Sequence, residues 1–477
     1  MKLTGLLEQA GGTPFAELEI TGVTDDSRKV APGSAFVCIE GLTTDGHKYA
    51  AAAAEAGASV VVAQRDTGVK NQILVPDTRL AYASMCAAYF GHPAKGLHLI
   101  GITGTNGKTT TSYLLKSIFE KAGYKVGLIG TIQNMIGPDV LPAKNTTPDA
   151  YELNSLFSLM KKSGCTYVVM EVSSHALEQG RTAGLHFDTG VFTNLTRDHL
   201  DYHGTMENYL AAKRRLFEVC DLAVANADDP ATEKLLEGLS CRRVTYSARS
   251  GAADYSAHNI AGRPGGVDFE LVGLGVIGRV RFGTPGAFSV YNALAAGVTA
   301  VAMGLPFAGV TDWLSEAGSV KGRMEVVETG RDFQIIIDYA HTPDGLENVL
   351  TALRGAASGR LVAVFGCGGD RDRTKRPVMG EIAARLADYV IVTSDNPRSE
   401  DPGAIIQDIL AGMEGTETPF EVCENRAEAV RRAVGLARAG DVIVLAGKGH
   451  ETYQILSTGT IHLDEREIAA QALAALG

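Results

Sequence analysis

The stretch GITGTNGKTT, residues 101–110, carries the clearest structural signal in the chain. It overlaps the end of an apolar run at 97–103 that predicts a strand, and a helix is predicted to begin near Thr109. Glycines in such a turn let backbone N–H groups face a phosphate, and the helix N-terminus adds partial positive charge. We therefore expect Lys108 to reach the β- and γ-phosphates of a nucleotide and the Thr109 hydroxyl to hold Mg²⁺.

The loop departs from the general phosphate-loop pattern at one place. That pattern has a glycine five positions before Gly107, where this chain has Ile102, and Gly101 lies one position too early. The shorter form GTNGKTT belongs to a narrower group of proteins. A Gly-rich link without function is the alternative, but a Gly-Lys-Thr sequence between a strand and a helix argues against it.

The segments around the loop alternate between apolar strands and helices. Such alternation predicts a parallel sheet covered by helices on both faces. The predicted strands of this first series are 97–103, 125–132, 167–172, 189–193 and 222–226. Gly-rich alternation at 253–288 predicts a small antiparallel appendage. A second series resembles a nucleotide-binding fold in the order of its strands and helices. Its predicted strands are 333–338, 360–366, 388–394 and 441–446, and its predicted helices lie near 345–354, 376–386, 403–412 and 425–438.

Changes in the pattern of apolar, polar and turn residues along the chain predict an α/β protein of three domains. The segment GHPAKG at 91–96 has the turn residues of a linker, and the sequence turns polar at 325–332. We expect a small α/β domain at 1–95, a central phosphate-loop ATPase domain with a parallel sheet at 96–326, and a Rossmann-like α/β domain at 327–477. The length of 477 residues suits three domains, and it is also compatible with two or four.

Composition narrows the classes of function. A net charge of −11 argues against nucleic-acid binding, so an anionic ligand needs a locally positive pocket. The seven cysteines are dispersed without metal spacing, which is typical of reduced thiols in the cytoplasm. The uncharged stretch 283–311 contains Pro306 and few large apolar residues, so it predicts a buried helix and not a membrane span. We expect a cytoplasmic monomer that is not embedded in a membrane, and the N-terminus lacks the apolar run of a signal peptide.

Several further motifs give the chain a family resemblance. Five of them are GTNGKTT (104–110), NTTPD (145–149), EVSSHAL (171–177), DHLDYHG (198–204) and DYAHTPD (338–344). Three more are GCGGDRD (366–372), DNPRSEDP (395–402) and GKGHE (447–451). Together and in this order, they resemble the Mur ligases of peptidoglycan synthesis across essentially the whole chain. The resemblance implies an ATP-dependent amide ligase, with Mg²⁺ as cofactor, that joins meso-diaminopimelate to UDP-N-acetylmuramoyl-L-alanyl-D-glutamate through an acyl phosphate.

The resemblance also assigns the nucleotide and metal site. Glu171 ends an apolar strand, where ligands of open α/β sheets collect, and is expected to bind Mg²⁺. Lys213 matches a lysine that related ligases carry as a carbamate, whereas composition alone favours a solvated lysine. The ATP contacts implied are Gly104, Thr105, Asn106, Gly107, Lys108, Thr109, Thr110, Asn292 and Arg323, with Asp338 and His341 completing the site. The metal ligands implied are Thr109, Glu171, His199 and Lys213, and the catalytic group is Lys108, Glu171, His199 and Lys213, whereas His203 is expected to be structural.

Two substrate sites follow from the same resemblance. The UDP-substrate contacts implied are Asp25, Ser27, Leu42, Thr43, Thr44, Asn145, Thr146, Thr147, Ser173, Gln179 and Arg181. The amino-acid contacts implied are Arg371, Asp395, Asn396, Pro397, Arg398, Gly447 and Glu451. Arg398 is expected to select diaminopimelate, because a guanidinium binds the distal carboxylate that lysine lacks. Structural alternatives are a helix N-cap before Pro148 for NTTPD, and a stiffened turn with a solvated arginine for DNPR.

Other functions stay open at this stage. The nearer alternatives are a ligase that adds L-lysine and a folate-type polyglutamate ligase, although folate ligases lack the combined DNPR and GKGHE pattern. A non-catalytic nucleotide-binding regulator is the alternative from another class. Against it stands the presence of Lys108, Glu171, His199 and Lys213, because a protein that no longer catalyses the reaction can lose such residues without losing function.

Overall fold

The first sheet is small and fully parallel. The computed structural model describes residues 18–41, 44–249, 251–263, 265–354 and 357–476. The strands of this sheet lie side by side in chain order: β1 Val23–Thr24, β2 Ala35–Val37, β3 Val60–Ala63 and β4 Gln72–Leu74. Its helices are α1 Ala50–Glu55 and α2 Thr78–Tyr89, with short 3₁₀ turns at Ser27–Lys29 and Gly46–Tyr49. Asp77 begins α2, because its carboxylate accepts hydrogen bonds from the free backbone N–H groups of Arg79 and Leu80.

The central sheet has eleven strands in the described residues, in the order β15-β14-β13-β12-β11-β10-β5-β9-β6-β7-β8. Its strands are β5 His98–Thr103, β6 Val126–Ile129, β7 Asn134–Ile136, β8 Asp139–Leu141, β9 Tyr167–Glu171, β10 Phe187–Phe192, β11 Cys220–Asn226, β12 Arg242–Ser247, β13 Tyr255–Arg263, β14 Gly266–Gly273 and β15 Val276–Phe282. The middle of the sheet is parallel, and both of its ends are antiparallel. The predicted appendage at 253–288 is antiparallel, but it is continuous with this sheet because β13 pairs with β12.

Helices cover both faces of the central sheet. They are α3 Lys108–Lys121, α4 Ala150–Lys162, α5 Ser174–Glu178, α6 Leu200–His203, α7 Met206–Arg214, α8 Thr232–Leu236, α9 Ala287–Ala302 and α10 Phe307–Ser315, with a 3₁₀ turn at Phe217–Val219. The uncharged stretch 283–311 contributes the buried helix α9, which ends at Ala302, and the start of a separate helix α10, which begins directly after Pro306. Among the described residues, no helix is long and apolar enough to cross a membrane.

The third sheet has six strands in the order β16-β17-β21-β18-β19-β20, and β16 is the one antiparallel strand in its described part. The strands are β16 Glu325–Val327, β17 Gln334–Asp338, β18 Leu361–Phe365, β19 Tyr389–Val392, β20 Phe420–Val422 and β21 Val442–Ala446. A hairpin of β22 Tyr453–Leu456 and β23 Gly459–His462 follows. The helices are α11 Pro343–Arg354, α12 Lys375–Leu386, α13 Pro402–Leu410, α14 Arg426–Leu436 and α15 Glu465–Ala475, with a 3₁₀ turn at Ala411–Met413.

Side chains connect the central and third sheets where their parallel strands end. Asn106, in the loop after β5, donates to the Asp344 carboxylate of α11 at 2.6 Å. Arg197, which follows β10, donates to the Thr374 hydroxyl at 3.0 Å. Because ligands of parallel α/β sheets bind at the carboxyl ends of strands, these contacts place two candidate ligand edges opposite each other.

Candidate active site

The phosphate loop is held in shape by its own backbone and by strand β10. Gly107 has a left-handed φ of +85°, and a side chain there would collide with the Asn292 amide oxygen. The backbone N–H groups of Thr105 and Asn106 donate to the backbone and side-chain oxygens of Asn194, both at 2.9 Å. Lys108 begins α3, and its Nζ donates to the carbonyls of residues 104 and 105 at 2.7 and 2.8 Å. The loop therefore has the backbone and cation that a phosphate needs.

Glu171 lies beside the loop at the carboxyl end of β9. Its side chain is fully buried, and its two oxygens accept hydrogen bonds from the N–H and hydroxyl of Thr131, both at 2.9 Å. The Thr109 hydroxyl donates to Glu171 Oε2 at 3.0 Å. A carboxylate and a threonine hydroxyl in contact are the oxygen ligands that Mg²⁺ prefers beside nucleotide phosphates.

Two histidines of the DHLDYHG motif, His199 and His203, lie in the same part of the structure. His199 Nε2 lies 3.3 Å from the Asp198 carboxylate, and burial lowers the pKa of His199 to about 3. Its imidazole is therefore neutral near pH 7, the state that binds metals. His203 is buried and its Nε2 lies 2.9 Å from the Ser174 hydroxyl, while its ring stacks on Tyr209. These contacts suit the structural role predicted for His203.

Lys213 is a buried residue, which excludes the alternative of a solvated lysine. It is 1% exposed, and its Nζ lies 4.2 Å from the centre of the Tyr209 ring. Burial, with the nearby charge of Lys108, lowers its pKa well below the ordinary value. The flanking arginines point elsewhere, as helical spacing predicts: Arg214 donates to the Leu235 carbonyl at 2.9 Å.

Arg323, just before the third sheet, and Asp338, at the end of β17, complete the wall opposite the phosphate loop. Arg323 Nη2 donates to the Thr109 hydroxyl at 3.1 Å, and its guanidinium lies over the Tyr339 ring at 4.7 Å. The buried carboxylate of Asp338 accepts a hydrogen bond from the Met324 N–H at 2.7 Å. Thr109 is thus shared between Glu171 and Arg323.

One cavity of about 570 Å³ joins these groups. Predicted residues that line it are Gly104, Thr105, Asn106, Gly107, Lys108, Thr109, Thr110, Thr146, Glu171, Ser173, His199, Lys213, Asn292, Arg323, Asp338 and His341. The lining contains the cations Lys108, Lys213, Arg249 and Arg323 together with the carboxylates of Glu171, Asp198, Asp228, Asp229, Asp338 and Asp344, so the cavity as a whole is not the locally positive pocket expected from the sequence.

The cavity also contains residues that sequence reasoning missed. Asp198 and Asp344 lie inside the quoted motifs DHLDYHG and DYAHTPD, so the motifs themselves could have indicated them. Asp228 accepts a hydrogen bond from the Tyr291 hydroxyl at 2.8 Å at the far end of the cavity. The available signal for Asp228 is its place just after β11, at a strand's carboxyl end, whereas Tyr291 has no signal of this kind.

The predicted UDP-substrate residues are only partly brought together. Asp25, Ser27 and Thr44 lie with the first sheet, away from the cavity lining, and Leu42 and Thr43 lie outside the described residues. The peptide-end residues lie closer. Among them, Asn145 is exposed, Thr146 Oγ1 is 3.1 Å from Thr131 Oγ1, Thr147 donates to the Glu171 carbonyl, and Arg181 donates to the Gln179 side chain and to the Thr147 carbonyl.

The alternative predicted for NTTPD is wrong in detail. The N-cap of α4 is Asp149, which follows Pro148 and accepts from the Glu152 N–H at 2.9 Å. A carboxylate one residue before the helix satisfies a free N–H, so Asn145 and the two threonines are not needed as caps.

The predicted amino-acid residues form a separate cluster at the ends of β19 and β21. Asp395, Asn396 and Glu451 are buried, and Asn396 Nδ2 donates to Glu451 Oε2 at 2.9 Å. Half-buried Arg398 donates to the Gly369 carbonyl at 2.7 Å, so it is not the solvated arginine of the structural alternative. The other members are exposed Arg371, buried Pro397, and Gly447, whose left-handed φ is +114°.

The described residues contain no cluster of three or more His, Cys, Asp or Glu side chains suited to a metal. A cation held at Thr109 and Glu171 therefore needs further ligands, which waters and nucleotide phosphates supply in Mg²⁺ sites of this kind.

The comparisons with known proteins agree with this geometry. Family models match at 19–89 (Mur ligase family, catalytic domain), 102–300 (Mur ligase middle domain) and 322–449 (Mur ligase, glutamate ligase domain). The chain belongs to the Mur ligase family of ATP-dependent enzymes that form C–N bonds.

Particular relatives share one name, UDP-N-acetylmuramoyl-L-alanyl-D-glutamate–2,6-diaminopimelate ligase. One from Clostridium botulinum is 46% identical over 95% of both chains, and one from Caldanaerobacter subterraneus is 47% identical over 99% of this chain and 98% of its own. A solved structure with the same name is 34% identical, has a TM-score of 0.73, and aligns over 100% of this chain and 99% of its own. A MurF from Acinetobacter baumannii shares the fold, with a TM-score of 0.68 at 19% identity over 99% of this chain and 98% of its own. The α/β fold class and the family resemblance are confirmed.

Proposed function

We propose that this chain is an ATP-dependent ligase that joins meso-diaminopimelate to UDP-N-acetylmuramoyl-L-alanyl-D-glutamate in peptidoglycan precursor synthesis. The observation that carries the proposal is one cavity in which the phosphate loop, a carboxylate and a buried lysine meet the arginine before the third sheet. The names of relatives 46–47% identical to this chain support the choice of substrates.

The chemistry follows from the charges in the cavity. ATP is a substrate, and an oxygen of the terminal D-glutamate carboxylate attacks its γ-phosphorus, releasing ADP and forming an acyl phosphate. Both reactants are anionic, so Lys108 and Arg323 offset the charge that accumulates between them. The amine of diaminopimelate then attacks the acyl carbon, phosphate leaves, and an amide bond results. No protein nucleophile is needed, because positioning and charge stabilisation supply the catalysis.

The oxygen donors beside the loop fit Mg²⁺. Thr109 and Glu171 would hold it, because their hydroxyl and carboxylate oxygens are already in contact at 3.0 Å. His199 and Lys213 would serve a second ion. When bound, Mg²⁺ neutralises phosphate oxygens and polarises the transferred phosphoryl group.

The surroundings of Lys213 favour the neutral amine that carbamate formation requires. A neutral amine nitrogen attacks the carbon of CO₂ and loses its proton to solvent, which leaves an anionic carbamate. The lowered pKa favours the neutral amine at physiological pH. The product is an anion where an ammonium would repel a metal cation.

The remaining assignments are part of the same proposal. The UDP-substrate lies against the first sheet and the peptide-end residues, and the amino acid lies at the Asp395–Arg398 cluster. The domain limits 1–95, 96–326 and 327–477 are supported by the three separate sheets, although β16 spans the limit at 326. We also expect a cytoplasmic monomer.

The test measures ADP release with each substrate omitted in turn. We expect release only when ATP, Mg²⁺, the UDP-dipeptide and meso-diaminopimelate are all present. Nucleotide binding without turnover would instead indicate a non-catalytic regulator. Turnover with a folate and glutamate, in place of the UDP-dipeptide, would indicate the folate-type ligase.

A further inference from the structure

A buried lysine beside the amino-acid cluster has no part in the scheme above. Lys448, directly after Gly447, is 0% exposed. Its Nζ donates to Asn396 Oδ1 at 3.0 Å and to Glu451 Oε2 at 2.7 Å. An ammonium in a protein interior costs free energy unless it is paired and hydrogen-bonded, so these two contacts determine where Lys448 lies.

The lysine fixes the orientation of the Asn396 amide. Asn396 Oδ1 also accepts from the Ile455 N–H at 2.9 Å, and Asn396 Nδ2 donates to Glu451 Oε2 at 2.9 Å. An ammonium and a backbone N–H can only donate, and a carboxylate can only accept. One orientation of the amide satisfies all three partners, and it leaves the second Nδ2 hydrogen for another acceptor.

The lysine also fixes the Glu451 carboxylate. Oε2 accepts from both Lys448 and Asn396, and the Tyr339 hydroxyl donates to Oε1 at 3.4 Å. The lysine is thus the ion-pair partner of a carboxylate that is only 9% exposed. An oriented carboxylate and an amide donor are what the ammonium and carboxylate of an amino acid require.

We propose that Lys448 is a positioning residue for the amino-acid substrate: without touching it, Lys448 holds the Asn396 amide and the Glu451 carboxylate in the orientation that receives it. The inference deepens the proposed function and rests on it, because it assumes that an amino acid binds at this cluster.

The first test is Lys448→Met, which keeps the length of the side chain and removes its charge and donors. The KM for meso-diaminopimelate should rise by about 10- to 100-fold, the loss expected for hydrogen bonds to charged groups. The KM values for ATP and the UDP-dipeptide should stay within about twofold. The matched control is Lys116→Met in α3, which removes a 7% exposed lysine paired with Glu120 at 2.7 Å and should leave the amine KM unchanged.

A second variant covers the case in which Lys448→Met leaves Glu451 unpaired and unfolds the chain. Lys448→Met/Glu451→Gln removes both members of this ion pair, so neither of the two is left without its partner. Adding Asn396→Ala to it should change the amine KM by less than about twofold, because the amide then keeps only its contact with the Ile455 N–H and has lost both side chains that orient it toward the substrate. A further tenfold loss would overturn the inference, since the amide would then act without the lysine.

The order of the assays separates the two proposals. If wild type fails to release ADP with meso-diaminopimelate, the proposed function is wrong and the inference falls with it. If wild type turns over and folded Lys448→Met keeps the wild-type amine KM, only the positioning role of Lys448 is wrong.

Discussion

At the scale of single residues, Thr109 shows how closely the parts of this site are connected. Its hydroxyl donates to Glu171 at 3.0 Å and accepts from Arg323 at 3.1 Å. A hydroxyl can donate and accept at once, so one oxygen links the phosphate loop to strand β9 and to the approach to the third sheet. Substitutions at this place should therefore affect chemistry more than folding.

Replacing Lys108 with alanine should abolish most turnover and leave the chain folded. Lys108 is half-buried and bonds to loop carbonyls, so it does not contribute to an apolar core. Removal of a cation that acts on the transferred phosphoryl group should lower kcat by about 100- to 1000-fold. The measurement is ADP release alongside thermal unfolding, with Lys121→Ala at the other end of α3 as control. A folded Lys108→Ala variant that retains a tenth of wild-type activity would contradict the phosphate role.

The carbamate proposed at Lys213 can be tested directly. Carbon-13 NMR of the ligand-bound enzyme in labelled bicarbonate should give a carbamate signal that Lys213→Ala lacks. That variant should be nearly inactive, and short carboxylates such as acetate should restore part of its activity by filling the vacant anionic position. An unmodified lysine in the active, ligand-bound enzyme is the contrary result.

Arg398 should determine the choice of amine. Diaminopimelate and lysine differ by one distal carboxylate, and loss of the half-buried Arg398 guanidinium as its partner should cost about 2 kcal/mol, the lower end of the range for buried charge pairs. Arg398→Ala should therefore reduce the ratio of kcat/KM for meso-diaminopimelate to that for L-lysine and change ATP binding little. Arg385→Ala, which removes an exposed arginine paired with Glu347 at 2.7 Å, is the control. A ratio unchanged by Arg398→Ala would assign selectivity to another residue.

At the scale of secondary-structure elements, strands that are buried apolar runs were predictable, whereas β20 and β12 were not. β5, β9 and β21 are apolar runs buried on both faces, which the sequence displays directly. β20 has three residues, too few for a periodic pattern, and β12 begins with two arginines that hide its place in the sheet. The uncharged run 283–311 spans α9 and the first part of α10, so the two helices looked like one segment.

The residues of the site also fall into those that the sequence could predict and those that it could not. Motif residues could be named from the sequence because the family keeps them close together in the chain. The burial of Lys213 could not, because its surroundings come from Tyr209 and the phosphate loop, which meet only in the folded protein. The same holds for the hydrogen bond between Asp228 and Tyr291, residues 63 positions apart.

The turn between β5 and α3 can be tested with a glycine pair. Gly107→Ala should weaken ATP binding, because its φ is +85° and the new methyl group would meet the Asn292 amide oxygen. Gly123 has a similar φ of +94° but no atom within 4 Å of an added carbon. The control Gly123→Ala therefore introduces the same backbone strain without a steric collision. Isothermal titration with ATP should show a Kd raised by about tenfold or more for Gly107→Ala and a wild-type Kd for Gly123→Ala. Equal losses in both variants would contradict a specific role for the loop.

At the scale of the whole molecule, the cavity depends on contacts between distant parts of the chain. Asn106 and Asp344 are 238 positions apart and bond at 2.6 Å, and Lys375 donates to the His341 carbonyl at 2.9 Å. The phosphate-loop site proposed for the nucleotide and the cluster proposed for the amino acid lie on different sheets. A reaction that joins an acyl phosphate to an amine therefore requires both sheets to face each other across the cavity.

The central claim is that the chain ligates meso-diaminopimelate to the UDP-dipeptide. Its most direct test is the ratio of kcat/KM values for meso-diaminopimelate and L-lysine in the wild-type protein, measured as ADP release with the UDP-dipeptide saturating. A distal carboxylate bound by a guanidinium predicts a preference of about 30-fold or more for meso-diaminopimelate. A ratio near one, or a preference for L-lysine, would contradict the account.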